Sequence, residues 1–381
     1  MKNKNNLFTA LLLICLSVTF SMAQDQGFIY GKITTIDGKT FEGPIRWGKE
    51  EVYWTDMFNV SKEENENIDY LSREDLRELE ERYYRRNHSW GDRWGDRMGD
   101  WFNIRWDDSN DSRYTHQLAC QFGEIKSIRP TGRERAEVRL QGGQELEIDG
   151  NGYNDVATKV KIRDAEIGEI ELSWSRIDII EFMDTPSKLG DKFGEQRYGS
   201  VETDAGTFTG YIQWDHDERV STDKLDGDTE DGDVSIEFGK IKSIAREGFR
   251  SSVVLNSGRE MLLRGSNDVN SDNRGIIVTN DALGRVDIPW REFKRVTFDS
   301  PKGKMKSYSD YKNQKELSAS VKTRNGDVLK GRLVFDLDEA YDYEVLNGED
   351  DDIEYVIPFR NIDKIMPKNY DNSEVILKNG D

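Results

Sequence analysis

Cys120-Gln121-Phe122 running to Ile128, Leu172-Ser173-Trp174 to Ile180, Ile236-Glu237-Phe238 to Ile244, Ile288-Pro289-Trp290 to Val296 and Ile357-Pro358-Phe359 to Ile365 are five writings of one pattern: apolar, spacer, aromatic, two spacers, apolar, two spacers, apolar. The aromatic recurs 52 positions apart from Phe122 to Trp174 and from Phe238 to Trp290, and 116 apart from Phe122 to Phe238 and from Trp174 to Trp290. Equal spacing of this kind marks duplication, so the chain alternates two kinds of unit, A and B. Two apolar residues at i and i+2 share one face of a strand, and the three-residue steps after them fit a single 3₁₀ turn leading into a last short strand. All five aromatics are expected in the core.

Working outward from the pattern, each A unit opens with a period-two alternation around a turn. The three openings are Gly31-Lys32-Ile33 through Asp37-Gly38 to Trp47, Gly199-Ser200-Val201 through Ala205-Gly206 to Trp214, and Ala319-Ser320-Val321 through Asn325-Gly326 to Phe335. Alternation flanking Asp-Gly or Asn-Gly is a strong short-range hairpin signal. B units open similarly, Val138-Arg139-Leu140 turning at Gly142-Gly143 and Val253-Val254-Leu255 turning at Ser257-Gly258. Both then pass an Asn-Asp-Val step, at Asn154 and Asn267, whose polar side chains are expected to bond their own backbone in a turn.

A unit of about fifty residues, with several short strands and a 3₁₀ turn before the last, resembles the small SH3-like or Sm-like β-barrel. The resemblance is one of architecture, and it implies an all-β tandem array of such barrels with one partly helical insertion. The expected divisions are a leader over 1–23, A1 over 24–130 with an insertion over 61–115, B1 over 133–186, A2 over 197–248, B2 over 250–301, A3 over 317–369 and the start of a B3 unit over 372–381. Val375, Leu377 and Gly380 align with Val138, Leu140 and Gly143, so a further B unit is expected to follow, with Glu374 beginning a poorly buried edge strand. Asp184-Thr185-Pro186 and Asp299-Ser300-Pro301 lead into polar connectors that read as looser joints between A–B modules.

Lys2 and Lys4, an apolar run from Leu7 to Phe20 and then Ser21-Met22-Ala23 have the order of a secretory signal peptide. Export to the periplasm or beyond is therefore expected, without stable membrane insertion after cleavage. Across the chain 74 acidic side chains face 54 basic ones, a formal charge of −20. Such a field repels nucleic acid and other polyanions. Cys120 is the one cysteine outside the leader, and its repeat counterparts Leu172, Ile236, Ile288 and Ile357 make it a buried core thiol.

The insertion has no counterpart in the other A units. Ser72 with Asp75 reads as a helix start, and further on Trp90-Gly91-Asp92-Arg93-Trp94-Gly95-Asp96-Arg97-Met98-Gly99-Asp100-Trp101 repeats every four residues. Tryptophan and arginine dominate binding hot spots and indoles stack on sugars, so Trp90, Arg93, Trp94 and Trp101 are the candidate ligand-binding residues. The acidic run Asp226, Asp228, Glu230, Asp233 alternates like a calcium loop, but Asp231 stands where the loop glycine belongs and the distal glutamate is missing. It reads as a solvated hairpin tip. Glu51, Glu218 and Glu339 align four residues past an aromatic and read as turn charges.

Three histidines, His88, His116 and His216, and no nucleophile elbow, phosphate loop or HExxH pattern leave no catalytic set. No cofactor and no metal ligand set is expected. The sequence points to an exported, non-enzymatic binding or scaffolding protein of the bacterial cell envelope with a protein or glycan partner. Alternatives are a carbohydrate-binding protein using the tryptophan-rich insertion, an acid-based glycan hydrolase and a calcium-stiffened adhesin.

Overall fold

The computed structural model describes residues 25–63, 67, 71–75, 77, 116–150, 153–369 and 372–381. The fold is all-β, with two ten-stranded antiparallel sheets and three two-stranded pairs among the described residues. Each closing pattern does what its spacing demands. A 3₁₀ turn begins at Phe122, Trp174, Phe238 and Phe359, and at Trp290 a turn closes through Glu292 N–H donating to the Pro289 carbonyl at 2.9 Å. All five aromatics are buried, as is Cys120.

The first module contains A-unit strands β1 (Tyr30–Thr35), β2 (Thr40–Trp47), β3 (Met57–Lys62), β4 (His116–Gln121) and β5 (Ile125–Pro130). Its B-unit strands are β6 (Arg135–Leu140), β7 (Glu145–Asp149), β8 (Val160–Asp164), β9 (Gly168–Leu172) and β10 (Ile177–Phe182). Hydrogen bonding does not follow the unit boundaries, and the sheet order is β4-β3-β7-β6-β5-β10-β1-β2-β8-β9. The A hairpin β1–β2 pairs with B strands on both sides, Ile33 opposite Ile180 and Ile45 opposite Ile162. The B hairpin β6–β7 is flanked by A strands in return, Val138 opposite Ile128 and Asp149 opposite Ser61.

The expectation of one small barrel per unit thus gives way to two units that exchange opening hairpins about the β5–β10 pair. The cause is the short A–B joint. Pro130 lies opposite Ala136, so β6 must fold directly back on β5, and the A hairpin is left to the strands that end the B unit. A and B residues consequently share one core. Trp47 meets A-unit Phe58 and Phe122 with ring centroids 6.0 and 5.4 Å away, and B-unit Trp174 at 6.1 Å.

The second module repeats this arrangement. Its A strands are β11 (Tyr198–Glu202), β12 (Thr207–Trp214), β13 (Lys224–Asp228), β14 (Asp233–Glu237) and β15 (Ile241–Glu247). Its B strands are β16 (Arg250–Leu255), β17 (Glu260–Leu263), β18 (Ile276–Asn280), β19 (Gly284–Ile288) and β20 (Arg295–Asp299). β20 lies between β11 and β15, and β18 lies along β12.

The third A unit has β21 (Ser318–Lys322), β22 (Val328–Arg332), β23 (Val345–Asp350), β24 (Ile353–Pro358) and β25 (Ile362–Pro367), followed by β26 (Ser373–Leu377). β24 extends the second module's sheet by pairing with β19, Tyr355 opposite Val286. Val345 and Val356 also pack on Met57 and Ala119 of the first module. β26 is poorly buried as expected at Val375, half-buried where Val138 and Val253 are buried, but not at Leu377, which is buried while its counterpart Leu255 is only half-buried.

The connectors are not loose. Leu189, Phe193 and Met305 join Phe28, Tyr53 and Val220 in a buried cluster between modules. Tyr308 stacks on Trp54 at 4.5 Å and donates its hydroxyl to the Ile125 carbonyl. Apolar residues spaced through a polar stretch made these segments read as linkers, yet each one finds a core to enter.

Candidate functional site

Each A hairpin ends in the same turn. Trp47, Trp214 and Phe335 bridge to Glu51, Glu218 and Glu339 four residues on. The first turn position holds Gly48, Asp215 or Asp336, each with positive φ, a region that aspartate tolerates because its short carboxylate can bond nearby backbone. Nine residues past the aromatic stands another acid: Asp56, Asp223 or Glu344. In every copy one of its oxygens accepts two backbone N–H groups, those of Val52 and Tyr53, of Arg219 and Val220, and of Ala340 and Tyr341.

The other oxygen of each acid takes a cation from a different module. Arg219 of A2 donates to Asp56 Oδ1 at 2.6 Å, and Arg46 of A1 answers by donating to Asp223 Oδ1 at 2.7 Å. Lys62 of A1 reaches Glu344 Oε1 at 2.9 Å and Asp338 at 2.8 Å. The Arg219 side chain is 1% exposed and lies over the Tyr53 ring, 5.0 Å from its centroid. Burial works against a charged Lys62, but Glu344 and Asp338 outweigh it and hold its pKa above the ordinary lysine value. These clasps tie three A units together, and the sequence marks only their acids, through alignment of the copies. Arg46, Arg219 and Lys62 differ in position relative to the repeat, so no spacing announces them.

Within each module a second device joins A to B. Asp155 and Asp268, from the Asn-Asp-Val steps, do more than bond their own turns. Their carbonyls accept the indole N–H of Trp47 and Trp214 at 2.8 and 2.9 Å. Their carboxylates accept the backbone N–H of Asn59 and Asp226 at 2.6 and 2.7 Å. Next to them lie Glu51 and Glu218, which stand in the turns as the alignment suggests and are partly buried there.

In the second module one carboxylate oxygen from each of Asp215, Glu218 and Asp268 lies within 4.8 Å of the others. Asp215 already accepts the Arg274 backbone N–H and the Asn267 side-chain amide. Glu218 Oε2 is buried without a hydrogen-bond partner. Burial, reinforced by Asp268, Asp217 and Asp215, pushes the Glu218 carboxyl up to about 9. Burial also pushes Asp268 up to about 6 against the pull of the Asp226 N–H, and Asp155 up to about 7 against that of Asn59. Carboxylates this close relieve their repulsion by retaining a proton or by taking a cation, and their titrations are coupled. Glu50 of the first module faces the same region, its charge set against Asp217, Arg274, His216 and Arg285, so the two modules meet across a polar, titratable seam.

His216 Nε2 lies 3.0 Å from Asp287 Oδ1. Burial alone would raise the Asp287 carboxyl, but His216 and Arg285 hold it below the ordinary value. The calcium-like run falls on the β13–β14 hairpin, beside a cleft of about 430 Å³ lined by Asp228, Glu230, Asp233, Arg250, Arg259 and Arg264 among others. Among the described residues, the oxygen cluster close enough to hold a cation is the deeper one at Asp215, Glu218 and Asp268.

Trp90, Arg93, Trp94 and Trp101 lie outside the described residues. The insertion that carries them leaves from the open end of the β3–β4 hairpin, where Lys62 pairs with His116. Its start is helical over 73–75, and Ser72 and Asp75 bond reciprocally as their spacing predicts. No protein-family model matches the chain, and comparison with curated proteins and with solved structures finds no match.

Proposed function

We propose that this chain is an exported, non-enzymatic scaffolding and binding protein of the bacterial cell envelope. One observation carries the reading: the buried clasp Arg219–Asp56 and the largely buried clasps Arg46–Asp223 and Lys62–Glu344, whose acids are repeat-related, spend their charged groups on fixing three A units to one another. A scaffold of that kind presents its loops in a constant arrangement, which suits recognition of a protein or glycan. The tryptophan-rich insertion, which joins β3 to β4 in the chain, is the binding element in this reading.

Capture from envelope extract by the full chain, compared with a chain in which residues 64–114 are replaced by a short turn, tests it. Loss of a specific protein or glycan partner with unchanged circular dichroism supports the reading. Equal capture by both chains removes the insertion from it. Release of reducing ends from envelope glycans, abolished by Glu218→Gln, would overturn the non-enzymatic assignment in favour of acid-based hydrolysis.

A further inference from the structure

β17 ends the sheet of the second module, whereas its counterpart β7 lies between β6 and β3. In the first module β3 continues along β7, with Ser61 opposite Asp149 and Lys62 opposite Ile148, and the Glu63 N–H then donates to the Glu147 carbonyl at 3.0 Å. The matching strand of the second module keeps only the first of these steps, the Asp228–Arg264 bridge. Thr229 turns away, its N–H donating to the Gly232 carbonyl at 2.9 Å, and the β13–β14 hairpin ends with Asp228 opposite Asp233. Hydrogen-bond directions alternate along a strand, so the backbone groups of Glu260 and Leu262 face outward with those of Arg264. They have no strand partner on that side among the described residues. The cleft of about 430 Å³ lies between this edge and the β13–β14 tip, where the first module has Lys62 and Glu63.

Charge at the two edges differs in step with this. Arg135 of β6 meets an acid on the incoming chain, Glu63 at 3.3 Å, and a second on β7, Asp149 at 3.5 Å. Its counterpart Arg250 has neither, because the turn carries Glu230 away and Arg264 stands in place of Asp149. Arg250 and Arg264 flank the Ser251–Leu263 pair and are both exposed. No acid pairs with either arginine among the described residues, and no cation pairs with Glu230, Asp231 or Asp233 across the cleft. Between the two sets lies Leu262, an exposed apolar side chain. An open backbone edge with opposite charges held apart suits a chain that brings its own ladder and both charges.

We propose that the outer edge of β17 takes up an extended segment of a partner protein, antiparallel to β17, with an acidic side chain opposite Leu262 and a basic one two residues later. Opposite Leu262 the acid stands where Glu63 stands in the first module, beside Arg250 and Arg264. Residues two apart share a strand face, so the base then comes opposite Glu260, toward the acidic tip of β13–β14. Backbone pairing supplies the affinity, as in other cases of β-strand addition, and the order of the charges fixes register and direction. Continuity with the first module selects a strand as the occupant, because the same edge there is already filled, in the same register, by a chain with an acid at this place. Charge complementarity selects the segment's composition. This surface is separate from the tryptophan-rich insertion, whatever that segment binds.

A labelled peptide Ser-Val-Glu-Val-Lys-Val-Ser titrated into the full chain provides the test, with the same peptide carrying Glu and Lys interchanged as control. Saturable binding is expected, with slowed hydrogen exchange at Glu260 and Leu262. Interchanging the two charges, methylating the backbone nitrogen of the peptide's Glu, or placing Arg250→Glu with Arg264→Glu in the chain should each weaken binding by about tenfold or more. The double variant should leave the melting temperature of the free chain unchanged, because both side chains are exposed. Absence of binding, or equal binding by the interchanged or N-methylated peptide, would overturn the proposal. So would binding that appears only when residues 64–114 are replaced by a short turn, since the chain's own insertion would then hold the edge. Self-association of the chain abolished by the double variant would overturn it as well, by making a second copy the occupant.

Discussion

Three hairpins of nearly the same pattern meet two different surroundings. β1–β2 and β11–β12 bury Ile33, Ile45, Val201 and Ile212 under strands from the following B unit, while at the third hairpin Val321 is exposed and Leu333 half-buried. Alternation and turn residues suffice to make the hairpin, since the third forms with a full ladder from Ser318 opposite Arg332 to Lys322 opposite Val328. Burial comes from elsewhere in the chain. A hairpin is a local object here and a core is a shared one.

The contrast is sharpest at the aromatic that ends each hairpin. Trp214→Ala should destabilise the fold by about 3–5 kcal/mol, because a fully buried indole bonded to the Asp268 carbonyl is lost and a cavity remains. Phe335→Ala, at a half-buried position, should cost less than about 2 kcal/mol. Denaturant unfolding of both variants measures the difference, and equal costs would mean the third unit is as well packed as the others.

Removing one partner of a buried pair leaves the other charge stranded. Arg219→Met should therefore cost about 3 kcal/mol, and the double variant Arg219→Met with Asp56→Asn should regain much of the loss. A double-mutant cycle by thermal unfolding reads the coupling. An additive result would show that the clasp contributes through packing alone.

Ile33→Ala should cost about 2–4 kcal/mol, whereas Val321→Ala should fall within about 0.5 kcal/mol of the parent. A large loss at Val321 in the isolated chain would place hidden cover over β21.

A further effect is electrostatic and appears only as pH changes. Glu218, raised from an ordinary 4.5 to about 9, keeps its proton in the folded chain after the unfolded chain has released it. Between those values the folded state binds more protons, so this group makes stability fall as pH rises from about 4.5 to about 9 and adds no slope outside that window. Glu218→Gln should raise the melting temperature at pH 8 and coincide with the parent near pH 4. If calcium raises the parent's melting temperature at pH 8 and leaves that of Glu218→Gln unchanged, the Asp215, Glu218 and Asp268 oxygens hold a cation in place of the proton.

Much of this fold is legible in the residues alone. The five closing patterns, the hairpins at Gly38, Gly143 and Gly326 and the Ser72–Asp75 helix start all obey local rules of side-chain alternation, turn chemistry and capping, and they stand where those rules put them. The acids of the clasps show in the alignment of copies, although their burial does not. Their cations escape notice because Arg46 ends a strand, Arg219 follows a turn and Lys62 borders the insertion, so nothing in one copy predicts another.

By itself, then, the sequence determined the strands, their turns and which faces are apolar, since each depends on neighbours a few positions away. Only tertiary structure decided which hairpin covers which core, because pairing energy is nearly the same for any antiparallel edge of the right pattern. Short joints at Pro130 to Arg135 and at Gly248-Phe249 resolved that choice by forcing each B unit to fold back on its A unit. The burial of Asp155 in the first module and of Glu218 in the second follows from that folding, and it pushes their carboxyls up to about 7 and about 9.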